Sequence, residues 1–220
     1  MQAINHTNLK NIVGTYYVPT AIMVNVSVFE TLTQDNIRSG SGELTKNAIM
    51  FGGEHLSVLE PILRRHRGTL QFTEEEMMEL MRMGIKAKGM LLKDDPKERT
   101  TAIIFEYGPA VGHAVELTYG VSHGCAVALG MLAASFISHK MGIMTTEDRD
   151  AHDELVRLLD VWLPLPPSEA LQNSVFRRVA GDNKRGYLPL RYWGALLAIT
   201  FKILHGFMHH HHTHACCDTV

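Results

Sequence analysis

The chain has 220 residues, 45% of them apolar and 20% charged, with a formal net charge of −2. That balance is ordinary for a folded globular chain, and the near-cancellation of acids and bases argues against nucleic acid or an anionic membrane as partner. No apolar run reaches the roughly 20 residues that span a bilayer.

The N-terminal Met1-Gln2-Ala3-Ile4-Asn5-His6 lacks the charged-then-apolar layout of a leader, and the three cysteines, two of them adjacent at Cys216 and Cys217, form no disulfide framework. A cytoplasmic setting is the expectation. Asn11 to Phe29 reads as extended structure, from Tyr16, Tyr17, Ile22, Val24, Val26 and Val28, with Gly14 and Pro19 as punctuation. Ser39-Gly40-Ser41-Gly42 reads as a flexible break, after which Glu43 to Phe51 resumes as helix. Thr73 followed by Glu76 is a capping box. It opens a helix with Met77, Leu80, Met81, Ile85 and Leu92 at helical spacing, and Pro96 ends that region. A helix is expected to start near Gly108 with Pro109 in its first turn, where a missing N–H costs little. Another runs from about Gly124 to Lys140, rich in small residues, and a further one is capped by Thr146 and ends before Pro164. The His-rich stretch from Met208 reads as a disordered tail outside the fold, and as the basis of a weaker metal-handling reading.

Within these elements, His113 and Glu116 lie three residues apart and share a helix face. His123 follows after a short glycine-containing link and can fold back toward them. Glu43 and Lys46 share a face in the same way. The position four residues before His113 holds Pro109, which has no side-chain donor. No GxGxxG or Walker-type loop occurs, so a dinucleotide would need a domain that this sequence does not carry.

Several separated motifs line up with one family. Leu9-Lys10-Asn11-Ile12-Val13-Gly14-Thr15-Tyr16-Tyr17-Val18-Pro19, Ser39-Gly40-Ser41-Gly42-Glu43-Leu44-Thr45-Lys46, Gly108 to Glu116 and Ser122-His123-Gly124 resemble, in order and spacing, segments of the dehydroquinate synthase superfamily of sugar-phosphate cyclases. Asp182-Asn183-Lys184-Arg185-Gly186-Tyr187 and Phe105-Glu106-Tyr107-Gly108 are similar to the 2-deoxy-scyllo-inosose synthase branch. Dehydroquinate synthases carry an arginine and an asparagine where this chain has Ala102 and Glu106, and those residues serve a substrate with a carboxylate. Neither Ala102 nor Glu106 would attract one.

The resemblance covers about residues 2 to 187 and implies a mainly α fold, the helical metal- and substrate-binding C-terminal half, with a short N-terminal strand segment. The implied division is residues 1–29 as a strand-like lead-in from an NAD-binding domain, 30–205 as the helical domain and 206–220 as the tail. The implied reaction takes glucose 6-phosphate to 2-deoxy-scyllo-inosose with loss of phosphate. It uses NAD, bound mainly by the other domain, and Zn²⁺ or Co²⁺. By resemblance the metal ligands are Glu43, His123 and the residue at 109, so Pro109 weakens the site. Glu106 would serve as acid/base, His113 would orient substrate, and Lys46 would hold substrate oxygens. Lys10, Asn11, Lys88 and Lys184 would bind the sugar phosphate. Pro109, Ala110, Cys125 and Asn25 depart from the family pattern. Cys125 stands where relatives carry a glutamate that supports the metal histidine, and is read as a small buried hydrophobe or a soft replacement ligand. A homodimer is expected, because half a cleft leaves an apolar face to cover. 3-Dehydroquinate synthase or another cyclase is the alternative within the class. A truncated, non-catalytic binding domain is the alternative outside it.

Overall fold

A computed structural model describes residues 2–6, 9–15, 20–93, 107–163 and 168–181. Glu106, Lys184 and the His-rich tail lie outside these residues. Two short strands, β1 (Gln2–His6) and β2 (Leu9–Thr15), pair antiparallel, with Gln2 opposite Thr15, Ile4 opposite Val13, and an irregularity between Ile4 and His6. The extended reading of Asn11 to Phe29 holds over residues 11–15, and residues 16–19 lie outside the described residues. Val26–Thr31 is a 3₁₀ helix instead, because the Asn25 side chain accepts from both the backbone N–H (3.2 Å) and the hydroxyl (2.8 Å) of Ser27 and turns the chain.

Seven α-helices follow among the described residues: α1 (Gln34–Phe51), α2 (Gly53–Arg65), α3 (Glu74–Leu92), α4 (Pro109–Tyr119), α5 (His123–Lys140), α6 (Thr146–Arg157) and α7 (Glu169–Gly181). The mainly α expectation is met. No described helix is long and apolar enough to cross a membrane.

The expected break at Ser39–Gly42 is absent. α1 runs through it, capped by Thr33, whose Oγ1 accepts from Asn36 N at 3.3 Å. The small residues there form a contact face. A Cβ placed on Gly42 would stand 2.2 Å from the carbonyl oxygen of Gly124, and one on Gly124 only 1.7 Å from that of Ser39. The Ser39 hydroxyl accepts from Gly124 N at 3.0 Å and closes the crossing of α1 and α5.

Helix ends follow local chemistry. Thr73 Oγ1 accepts from Glu76 N at 3.2 Å, and Glu76 Oε2 accepts from Thr73 N at 2.9 Å, the reciprocal pair expected from the sequence. Glu76 also binds His66 at 2.8 Å and Arg65, which ties α3 to the end of α2. Thr73→Ala should therefore lose about 0.5–2 kcal/mol of stability, read as a lower urea midpoint with an unchanged slope. On α3 the buried stripe is Leu80, Met83 and Ala87, whereas Ile85 is exposed. The residue capping α6 is Thr145, one before the expected Thr146, with Oγ1 3.1 Å from Asp148 N. Neither α2 nor α7 was expected as a separate helix. Pro61 within α2 obscures the first.

Helix α5 is the axis of the core. Apolar residues surround it, and it packs against α1, α4 and α6, while α4 also meets α7. Leu59, Leu63, Leu80, Val115, Met131, Leu132, Val156 and Leu159 are all but fully buried around it. Burial on all sides fixes the N-terminus of α5 against α1 and α4, and that is where the polar residues collect.

Candidate metal centre

Three helices bring the site together. Glu43 and Lys46 lie on α1, His113 and Glu116 on α4, and His123 opens α5. Gly120, at φ 68° and ψ 19°, ends α4 in the left-handed conformation and folds the short link so that His123 returns toward α4.

Glu43 Oε2 accepts from Lys46 Nζ at 2.7 Å, and the Lys46 side chain is almost wholly buried. Glu43 Oε1 stands 3.4 Å from His123 Nε2. Burial pushes the Glu43 carboxyl up, but its interaction with His123 and the ammonium of Lys46 outweigh that, holding it at about 2. The glutamate is therefore an anion at any working pH. On the other side of the imidazole, His123 Nδ1 lies 2.9 Å from Glu116 Oε2. The rings of His113 and His123 sit 5.5 Å apart, tilted by 30°. One ligand atom each from His113, Glu116 and His123 fall within 4.8 Å of one another.

This donor set fits a divalent transition metal. Carboxylate oxygens and imidazole nitrogens are the ligands zinc and cobalt take. Glu43 Oε1 is also buried and makes no hydrogen bond, an orphaned acceptor facing His123. The side chains of His123 and Glu116 remain 36% and 26% exposed, so a ligand can reach the cluster. Nothing among the described residues forms a glycine-rich strand-to-helix turn for a dinucleotide; β1 and β2 are joined to each other.

The structure brings Glu43, Lys46, His113 and His123 to one place. Lys88 is exposed on α3, a helix that packs against α1. Lys10 and Asn11 lie on β2, and Glu106 and Lys184 fall outside the described residues. Pro109 is buried at the first turn of α4, after Gly108 at φ 86°, and supplies no donor. Cys125 is buried, its thiol pushed up by burial, beside Ser122 rather than in the cluster. The carboxylate at Nδ1 of His123 comes from Glu116, not from the residue at 125. The i, i+3 pairing of Glu116 with His113 was the available signal for it.

A second polar network, which sequence reasoning missed, anchors the entry to α4. The Tyr107 hydroxyl bonds His152 Nε2, His152 Nδ1 lies 2.8 Å from Asp153 Oδ1, and the Ser135 hydroxyl donates to the same oxygen at 2.6 Å. Burial and the nearby Asp153 push the Tyr107 hydroxyl up, so it stays a donor. Tyr107 immediately precedes Gly108, and the network thus pins the start of the helix that carries His113.

Comparison with known proteins shows the family. Residues 40–185 match the family described as 3-dehydroquinate synthase C-terminal, and residues 1–39 match 3-dehydroquinate synthase N-terminal. The 2-deoxy-scyllo-inosose synthase of Streptomyces kanamyceticus is 37% identical over 190 residues, covering 86% of this chain and 48% of that protein. The synthase of Micromonospora echinospora is 33% identical over 189 residues, covering 85% and 47%. A crystal structure of 2-deoxy-scyllo-inosose synthase complexed with carbaglucose-6-phosphate, NAD⁺ and Co²⁺ superposes with a TM-score of 0.73 at 31% identity, over 86% of this chain and 51% of that one. The chain thus spans about half the length of the relatives it matches. A match over most of its residues, joined to a shared fold and ordered motifs, places this chain in the 3-dehydroquinate synthase superfamily, among relatives named 2-deoxy-scyllo-inosose synthase.

Proposed function

We propose that this chain is the metal- and sugar-phosphate-binding part of a carbocycle-forming cyclase of the 2-deoxy-scyllo-inosose synthase kind. Its substrate is glucose 6-phosphate, and the overall reaction eliminates phosphate and closes a carbon ring with NAD as transient hydride acceptor. Residues 30–205 form the binding domain, the NAD site lies mainly outside it, and the working form is a cytoplasmic homodimer. The observation that carries the reading is the meeting of Glu43, Lys46 and His123. They come from helices remote in sequence, with contacts of 2.7 and 3.4 Å.

A bound Zn²⁺ or Co²⁺ would supply Lewis acidity toward a substrate hydroxyl. The chain's own residues do the rest. Lys46 presents a buried ammonium, held in place by Glu43, to substrate oxygens. His113, on the face of α4 turned to His123, orients the sugar. Glu106 moves a proton next to it. Lys10, Asn11, Lys88 and Lys184 hold the phosphate by charge and hydrogen bonding. Phosphate loss and ring closure both need positioned bases, and for that reason a histidine and a glutamate stand among the cations. The reading as a non-catalytic binding domain rests on one specific feature, Pro109 in the ligand position.

Titration calorimetry tests the proposal. Carbaglucose-6-phosphate should bind with Co²⁺ present and bind far less after chelation. Lys46→Met should weaken binding about tenfold or more, as expected for a lost charge-assisted contact. Absence of binding in every condition would sink the sugar-phosphate reading. Release of inorganic phosphate from glucose 6-phosphate on adding NAD separates a catalytic chain from a binding domain.

A further inference from the structure

Among the described residues, helix α1 gathers buried polar atoms that make no hydrogen bond. They are Glu43 Oε1, Thr45 Oγ1 and Asn47 Oδ1. Thr45 lies on the opposite side of the helix from the other two. Asn47 follows Glu43 by four residues and Lys46 by one, so Glu43, Lys46 and Asn47 share a face, with Lys46 and Asn47 flanking the carboxylate. Asn47 is only 6% exposed. A buried carboxamide oxygen ordinarily has a donor, because leaving it dry costs stability. Nothing in the packing of α1 calls for that polar atom.

Its surroundings point to a donor from outside the chain. Glu43, one turn earlier, keeps 34% of its side chain exposed, so a ligand reaches this face from the Glu43 side. Leu44 touches α3, where a Cβ on Gly84 would stand 2.9 Å from Leu44 Cδ2. Lys88 lies one turn beyond Gly84 on the same face of α3. Lys86, between them, pairs with Glu54 in the first turn of α2, just past the end of α1. Helix α3 therefore advances along α1 toward its C-terminal end. Asn47 stands between the meeting of Glu43, Lys46 and His123 and the part of α3 that carries Lys88.

We infer, on the sugar-phosphate reading above, that Asn47 is a further substrate-binding residue whose side-chain oxygen accepts a hydrogen bond from a sugar hydroxyl. That hydroxyl lies between the oxygens held at Lys46 and the phosphate held at Lys88. An ammonium only donates, so lysines alone hold a hydroxyl, a ketone and an ether oxygen in the same way. An acceptor beside them makes the hydroxyl hydrogen necessary. A substrate lacking it leaves Asn47 Oδ1 dry, and a site built to bond a hydroxyl rejects such an analogue strongly.

Titration calorimetry on the full chain with Co²⁺ tests this. Glucose 6-phosphate is compared with its 2-deoxy, 3-deoxy and 4-deoxy analogues, in the parent and in Asn47→Leu. One analogue should bind the parent about tenfold or more weaker than glucose 6-phosphate. In Asn47→Leu, glucose 6-phosphate should fall by a similar factor, and its advantage over that analogue should vanish, which a residue that only packs would not bring about. Asn47→Ala asks the same question without added bulk, should leucine prevent folding. Inorganic phosphate should bind parent and variant alike. A parent that binds all four sugar phosphates equally would overturn the role of Asn47, as would a variant that keeps the discrimination or loses inorganic phosphate to the same extent. A parent that binds no sugar phosphate at all would sink the cyclase reading itself, and this role with it.

Discussion

Gly124→Ala should cost the chain about 3 kcal/mol, at the upper end for overpacking a buried contact, and Gly124→Val should prevent folding. The new Cβ would stand 1.7 Å from the carbonyl oxygen of Ser39 and 2.5 Å from its carbonyl carbon. Both obstacles are backbone atoms of a helix, so no rotamer change relieves them. α1 and α5 must separate, and the Gly124 N–H loses its Ser39 acceptor. Because Gly124 follows His123, that separation also widens the 3.4 Å gap to Glu43. A nearby control sharpens the result. Gly40 is on the exposed face of α1, and a Cβ there meets nothing within 4 Å. Gly40→Ala should stabilise by about 0.5–1 kcal/mol through helix propensity. Urea unfolding of both variants checks the pair, and opposite signs are the expected outcome.

Asp153→Ala should cost about 3–5 kcal/mol, the range for breaking a buried charged network by removing one partner. Asp153 is buried with His152 at 2.8 Å, the Ser135 hydroxyl at 2.6 Å and Arg149 at 3.5 Å. Alanine leaves the buried His152 N–H without its acceptor, while the Ser135 hydroxyl keeps only the Leu132 carbonyl at 2.9 Å. The pH dependence follows from the same contacts. Burial raises the carboxyl, but the bonds from His152 and Ser135 and the charge of Arg157 outweigh it, and the folded value lies below the ordinary 3.8. A depressed carboxylate contributes stability that is fully present above its unfolded pKa and is lost as pH falls through the folded one. Unfolding free energy should therefore drop below about pH 4 in the parent chain, and this component of the drop should vanish in Asp153→Ala. Chemical denaturation at pH 5, 4 and 3 measures it. Tyr107 reports the consequence for the site: with His152 released, the turn into α4 loosens, and the packing of His113 against His123 should loosen along with stability.

Much of this chain is legible residue by residue. The Thr73–Glu76 box, the Pro109 start of α4 and the small-residue run of α5 are local signals, because caps and first turns are satisfied by neighbours within four residues. The glycines of α1 were misread for a physical reason. A glycine that serves as a hinge and a glycine that admits another helix look alike until the other helix is placed, and here Gly42 meets Gly124 from 82 positions away. The Tyr107–His152–Asp153–Ser135 chain was invisible for a similar reason. Asp153 sits in an acid-rich helix that reads as a solvated face, and its partners arrive from α5 and the turn before α4.

The amino-acid order alone determined the helical class, the family and the presence of Glu43, Lys46, His113, Glu116 and His123 as polar residues at helical spacings. Those properties depend on periodicity and on motifs that stay within one element. Which nitrogen of His123 faces which carboxylate was decided only by the crossing of α1, α4 and α5. Sequence spacing fixes which side chains share a face of one helix, but only close packing of several helices sets the distances between faces, and coordination is a matter of those distances.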